Sequence, residues 1–164
     1  MGRWTTRIVG LLSVVCAVAF VALAGVGGWL YWQRVETRGA QQARDTLAPL
    51  AADQIPRMFG YDYQTVERSL TEAYPLLAPG FRQEFSDRAT KEIIPQARER
   101  QVVSQAHVVG VGVLSAQRDS AQVMVYLNRT VTEKGGQPIY DGSRLRVDYT
   151  KLDGKWLINY ITPI

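Results

Sequence analysis

The sequence predicts an α+β domain carried behind one membrane-spanning helix, and three observations predict it. Ile8 to Gln33 holds no charged side chain, while every acidic residue lies from Glu36 onward. Between residues 33 and 100, apolar side chains recur every three or four positions. From Val102 to the C-terminus the period changes to two. Helices first and strands after place the helices on one face of a mostly antiparallel sheet.

The membrane segment comes first. Ile8 to Trp32 is 25 residues long; as a helix it measures about 37 Å, and a hydrocarbon core of about 30 Å needs roughly 20 such residues. A helix is required, because lipid cannot satisfy an open backbone. Trp29, Tyr31 and Trp32 gather at its far end, where amphipathic rings prefer the interface. Ala22-Leu23-Ala24 also spells a leader-cleavage site, but the apolar run continues through Trp32 without a polar stretch, which favours a retained anchor. Arg3 and Arg7 flank one side and Arg34, Arg38 and Arg44 the other, so charge alone leaves the orientation open.

Residues 33–60 read as a linker helix, with Ala40, Ala43, Leu47, Leu50 and Ala51 on one face and Pro49 and Pro56 predicting a kink or two shorter helices. A second helix spans about Asp62 to Tyr74, capped by Asp62, with Val66, Leu70 and Tyr74 stepping by four. Pro75 and Pro79-Gly80 end it. The third covers about Phe81 to Arg100, with Phe81, Phe85, Ala89, Ile93 and Ala97 as its inner stripe and Pro95 bending its end. Four strands follow. His107, Val109, Val111 and Val113 share a face of the first; Val123, Val125, Leu127 and Val131 do so in the second. Leu145, Val147 and Tyr149 alternate with Arg144, Arg146 and Asp148, and Trp156, Ile158 and Tyr160 line the last. Leu152-Asp153-Gly154-Lys155 predicts a type I′ hairpin between the last two strands. A loop from Gly135 through Gly142 joins the second and third. Three helices feeding a curved four-stranded sheet suggest the cone-shaped fold of nuclear transport factor 2. The chain thus divides into a tail (1–7), a transmembrane helix (8–32), a linker helix (33–60) and an α+β domain (61–164).

Composition narrows the chemistry. Beyond the first 33 residues about 130 remain, enough for one ordinary core. The single cysteine, Cys16, lies in the apolar segment, so burial alone must hold the domain together. The net charge is +4, yet basic and acidic residues alternate, as in Arg82–Glu84–Asp87–Arg88–Lys91–Glu92. Nucleic-acid binders gather their basic residues on one stripe, so no nucleic-acid partner is expected.

His107 is the only histidine, without a companion to make it a general base. One His and one membrane-embedded Cys leave no His/Cys metal set. No Gly-x-Ser-x-Gly elbow occurs, and Gly110-Val111-Gly112 lacks the third glycine of a phosphate loop. Asn128-Arg129-Thr130 is a glycosylation sequon by spelling only. No catalytic residue, cofactor or metal is expected. Phe81, Phe85, Tyr149, Trp156 and Tyr160 could line a cavity able to hold a lipid or sterol, although core packing explains such aromatics as well.

Order and spacing of short segments carry a resemblance across nearly the whole chain. After the N-terminal apolar segment come Tyr61-Asp62-Tyr63-Gln64-Thr65 and Pro79-Gly80-Phe81-Arg82-Gln83-Glu84-Phe85. Then follow Val108-Val109-Gly110-Val111-Gly112-Val113-Leu114-Ser115-Ala116, Ala121-Gln122-Val123-Met124-Val125-Tyr126 and Leu152-Asp153-Gly154-Lys155-Trp156-Leu157-Ile158. The pattern resembles the Mce-associated membrane proteins of actinobacteria, which accompany the mammalian-cell-entry lipid importers. The resemblance implies a non-enzymatic scaffold in the cytoplasmic (inner) membrane, N-terminus in and domain out. Its implied partners are importer subunits for fatty acids or sterols and a homologous sister protein. A secretion or conjugation subunit, or a lipid carrier or enzyme using the cavity, is the alternative.

Overall fold

The computed structural model describes residues 39–164, together with the separate positions 23, 24 and 29. The segment 8–32 expected to cross the membrane lies largely outside the described residues. Among those that are described, no helix is long and apolar enough to cross a membrane.

Helix α1 runs over 39–59, followed by β1 (Tyr61–Asp62), α2 (Val66–Ala73) and a tight turn at Tyr74–Leu76. Next come α3 (Pro79–Arg88), a widened π-type turn at Ala89–Ile93 and α4 (Ile94–Arg100). The strands are β2 (Val103–Ala116), β3 (Ser120–Thr132), β4 (Ile139–Leu152) and β5 (Lys155–Pro163). They form one antiparallel sheet in the order β1-β2-β3-β4-β5. The expected α+β order holds, with a fifth, two-residue strand added at the edge.

Residues 39–59 are a core element of the domain. Ala43, Leu47, Ala51, Ile55 and Met58 form a fully buried stripe against Val123, Val125, Leu127, Leu145, Val147 and Ile158 of the sheet. The compact unit accordingly begins at Ala40, not at residue 61. The helix also runs unbroken past Pro49 and Pro56. An interior proline costs about 3 kcal/mol, which burial of Leu47, Ile55 and Met58 offsets at about 1.5–3 kcal/mol each.

Two local expectations change. Asp62 sits in β1 and does not cap α2: its Oδ1 accepts a hydrogen bond from the Gln64 backbone N–H at 2.8 Å, and the helix begins four residues later. The third predicted helix is divided, with Pro95 in the first turn of α4. A proline has no N–H to give the carbonyl four residues back, and in the widened turn before it the Ile94 N–H donates to the Ala89 carbonyl, five residues back.

In β2 the sequence placed His107, Val109, Val111 and Val113 on one face. A bulge between Val108 and Gly110 breaks that alternation. His107 and Val109 are exposed, Val109 at 58%, whereas Val111 and Val113 pack against the core. One inserted residue reverses which side chains face inward.

The β4–β5 hairpin turns through Asp153 (φ 49°) and Gly154 (φ 78°), the paired positive φ that a type I′ turn requires. β4 already starts at Ile139, so the loop before it is shorter than expected. At the end of α4, Gln101 holds a left-handed conformation (φ 52°), and the Val102 N–H donates to the Ala97 carbonyl at 2.9 Å. This is the Schellman arrangement, which favours glycine at the left-handed position. Gln101→Gly should stabilise the domain by about 0.5–1 kcal/mol, read as a higher urea midpoint at unchanged slope.

Candidate functional site

A cavity of about 290 Å³ opens where the end of α1, strand β1 and helix α3 meet the C-terminal end of the sheet. Three local features build its walls. Gly60 lets the chain leave α1 tightly, since a Cβ there would stand 2.9 Å from the Pro56 carbonyl oxygen. The Ser104 hydroxyl then donates to the Phe59 carbonyl at 2.7 Å and pins the segment to β2. This presents Met58, Phe59 and Tyr61 to the cavity. Opposite them, α3 and the turn after it contribute Phe81, Phe85 and Ile93, and the sheet contributes Leu145, Tyr160 and Ile161.

The aromatic wall is continuous. Phe81 meets Tyr160 edge-on at 5.5 Å and Phe85 at 6.3 Å, and Tyr74 braces Phe85 from behind at 6.1 Å. Phe81, Phe85 and Tyr160 line this cavity. Tyr149 and Trp156 do not. They are 2% and 9% exposed within the main core. The Tyr149 hydroxyl donates to Gln54 Oε1 of α1 at 3.2 Å, and its burial raises its pKa well above the ordinary tyrosine value. Lys151 lies over the Trp156 ring, 5.5 Å from its centre.

The polar members are Glu84, Arg88 and Arg129. Arg88 and Glu84 pair at 3.1 Å across one turn of α3, both more than two-fifths exposed. Such a pair contributes little to stability. Arg129 is different. It continues the inward-facing series Val123, Val125, Leu127 of β3, a position where a charged residue is unusual. Its Nη2 donates to Asp141 Oδ2 at 3.1 Å, an oxygen that also accepts from the Ser143 hydroxyl at 2.9 Å. Its Nε is buried without a hydrogen-bond partner. Tyr61 is close enough to feel that charge. Burial raises its pKa, and Arg129 works in the opposite direction.

Sequence reasoning missed Met58, Phe59, Tyr61 and Arg129. Only Arg129 carried a local signal, a charge in phase with the buried valines of its strand. Chemically, the arrangement offers a largely apolar chamber whose polar lining is Tyr61, Arg129 and the Glu84–Arg88 pair. Among the described residues, no group of three or more His, Cys, Asp or Glu stands close enough to hold a metal.

The signature of the family described as "Uncharacterized protein Rv1363c/MT1408-like" matches residues 8–161. The chain belongs to the Rv1363c/MT1408-like family. The match takes in the N-terminal apolar segment as well as the folded domain. Among Mycobacterium tuberculosis relatives, the outer membrane protein Rv1973 is 29% identical over 144 residues, covering 88% of this chain and 90% of its own. Rv1362c is 28% identical over 157 residues, covering 93% and 71%.

The Rv1363c/MT1408-like domain shares its fold with solved components of type IV secretion systems. An IcmL-like protein from Legionella pneumophila superposes with a TM-score of 0.63 at 12% identity, over 74% of this chain and 93% of its own. The periplasmic domain of DotI gives 0.63 at 11% identity, over 73% and 94%. VirB8 of Agrobacterium tumefaciens gives 0.52 at 13%, over 68% and 84%. At such identities the likeness is one of fold: a curled antiparallel sheet with helices packed against it.

Proposed function

We propose that the protein is a non-enzymatic scaffold of the cell envelope that stabilises or assembles an Mce-type lipid importer. In this reading the segment 8–32 anchors it in the inner membrane, N-terminus in, with the domain outside the cytoplasm. One observation carries the reading: the family signature runs without a break through the apolar segment and a domain folded like the periplasmic part of DotI. Such a domain, held at a membrane by one helix, is built to present surfaces to neighbours. The relative named as an outer membrane protein supports an envelope location. The resemblance to the Mce-associated proteins supplies the importer as partner, along with a sister protein of the same family.

Deleting the gene should lower the abundance of importer permease and substrate-binding subunits and slow uptake of labelled fatty acid or sterol. Unchanged abundance and uptake would sink the proposal. The fold shared with VirB8 and IcmL-like proteins favours a second reading, a subunit of a secretion machine. Affinity purification of the tagged full-length protein from detergent-solubilised membranes separates the two. Importer subunits in the eluate support the first reading, and secretion ATPases or channel subunits support the second.

A further inference from the structure

The two edges of the sheet are finished differently. Along β5, the Ala78 N–H donates to the Ile158 carbonyl at 2.8 Å, Leu77 bridges to Ile158, and the strand ends on Pro163. Along β2, strand β1 pairs only with Val103 and Ser104. From His107 to Ala116, the side of β2 away from β3 has no backbone partner among the described residues. That stretch is ten residues, about 33 Å of open edge. Its inward-facing Val108, Val111 and Val113 are only half-buried, whereas Val123, Val125 and Leu127, one strand further in, are 0–2% exposed. Proteins usually guard such an edge with lysine, proline or a covering segment. Here no Asp, Glu, Lys, Arg or Pro occurs between Gln101 and Gln117. Two bulges twist the strand, but the residues they insert, Val109 and Leu114, are aliphatic and stand 58% and 51% exposed.

A row of free N–H and C=O groups is shaped for another β-strand. Two arguments make that strand the β2 of a second copy. It brings no charge to a charge-free edge, so antiparallel pairing across a two-fold axis opposes no like charges. Edge-to-edge pairing also uses up both open edges at once and closes the assembly, whereas an unrelated strand would leave a new edge exposed. We infer that the protein forms a two-fold dimer through antiparallel β2–β2 pairing, which joins the two sheets into one. With the axis near Val111, in the middle of the open stretch, Val109 of each copy lies within one position of Leu114 of the other, and both lose their exposure. The pairing does not depend on which complex the protein serves, so it stands or falls separately from the scaffold reading.

The test uses the full chain in detergent micelles, with Cys16→Ser as background and one new cysteine at a time. Under mild oxidation, Val111→Cys or Gly112→Cys, whichever sits on the axis, should give at least about fivefold more disulfide-linked dimer than Tyr140→Cys. Tyr140 is 80% exposed but lies away from β2, so it reports chance collisions. In sedimentation of the same solubilised chain, Val109→Lys combined with Leu114→Lys should raise the dimer dissociation constant at least about tenfold, because it sets like charges across the pair. Both positions are exposed in the single copy, so the lysines add no buried charge there. Circular dichroism shows whether the double variant is folded, and the cysteine comparison carries the test if it is not. A chain that sediments as a monomer would overturn the proposal and leave the edge to a strand of another protein. A dimer untouched by the two lysines, or linkage through Tyr140→Cys equal to that through β2, would overturn it as well.

Discussion

A chain beginning at residue 61 should fail to fold, whereas one beginning at residue 40 should fold cooperatively. Removing 40–60 strips Leu47, Ile55 and Met58 from the core, together with Ala43 and Ala51. At about 1.5–3 kcal/mol for each large side chain, the loss is about 5–9 kcal/mol before the alanines are counted. Whole-domain stability is typically about 5–15 kcal/mol, so little or nothing remains. The truncation also exposes the inner faces of β3 and β4 and leaves Tyr149 without Gln54. Near-ultraviolet circular dichroism and amide-proton dispersion report the outcome. A well-dispersed spectrum from 61–164 would show that α1 is the linker its sequence suggests.

The second large effect should come from alkali. Tyr149 is buried with its hydroxyl bonded to Gln54, and its pKa is raised from the ordinary 10.0 by desolvation. A raised folded-state pKa means that the native protein holds the phenol proton more tightly than the unfolded chain does. The stabilisation is fully present below the unfolded value and is withdrawn as pH climbs from about 10 toward the folded value. Each pH unit in that window removes about 1.4 kcal/mol. Tyr149→Phe should cost about 1 kcal/mol at neutral pH through the lost hydrogen bond to Gln54. Above pH 10 the variant should lose stability with a shallower slope than the parent. Urea unfolding of both proteins at pH 7, 10 and 11 checks this, and parallel slopes would refute it.

How much of the molecule could be read from residues alone is clearest where the parts are local. The β4–β5 hairpin was legible in Asp153-Gly154, because positive φ at two consecutive positions is a property of those residues themselves. The inner face of β3 was legible because strict alternation survives when no bulge intervenes. In β2 the same rule failed at Val109. The bulge there arises from how β2 pairs with β3; Gly110 and Gly112 mark a place where the strand can bend, but not that its faces exchange at Val109. The cavity was half legible for a related reason. Aromatic residues at Phe81, Phe85 and Tyr160 look no different in the sequence from Tyr149 and Trp156, yet the first three line the chamber and the last two fill the core.

The sequence by itself determined the α+β order, the strand faces free of bulges, the hairpin turn and the amphipathic stripe of α1. Each follows from spacing along the chain, which sets side-chain direction within one element. Only the tertiary structure decided that α1 belongs to the core and that Arg129 and Tyr61 line one cavity. It alone placed His107 on the exposed face of the sheet. Those outcomes depend on which elements meet and in what register, and a stripe or an alternation states that a face will be buried without stating against what.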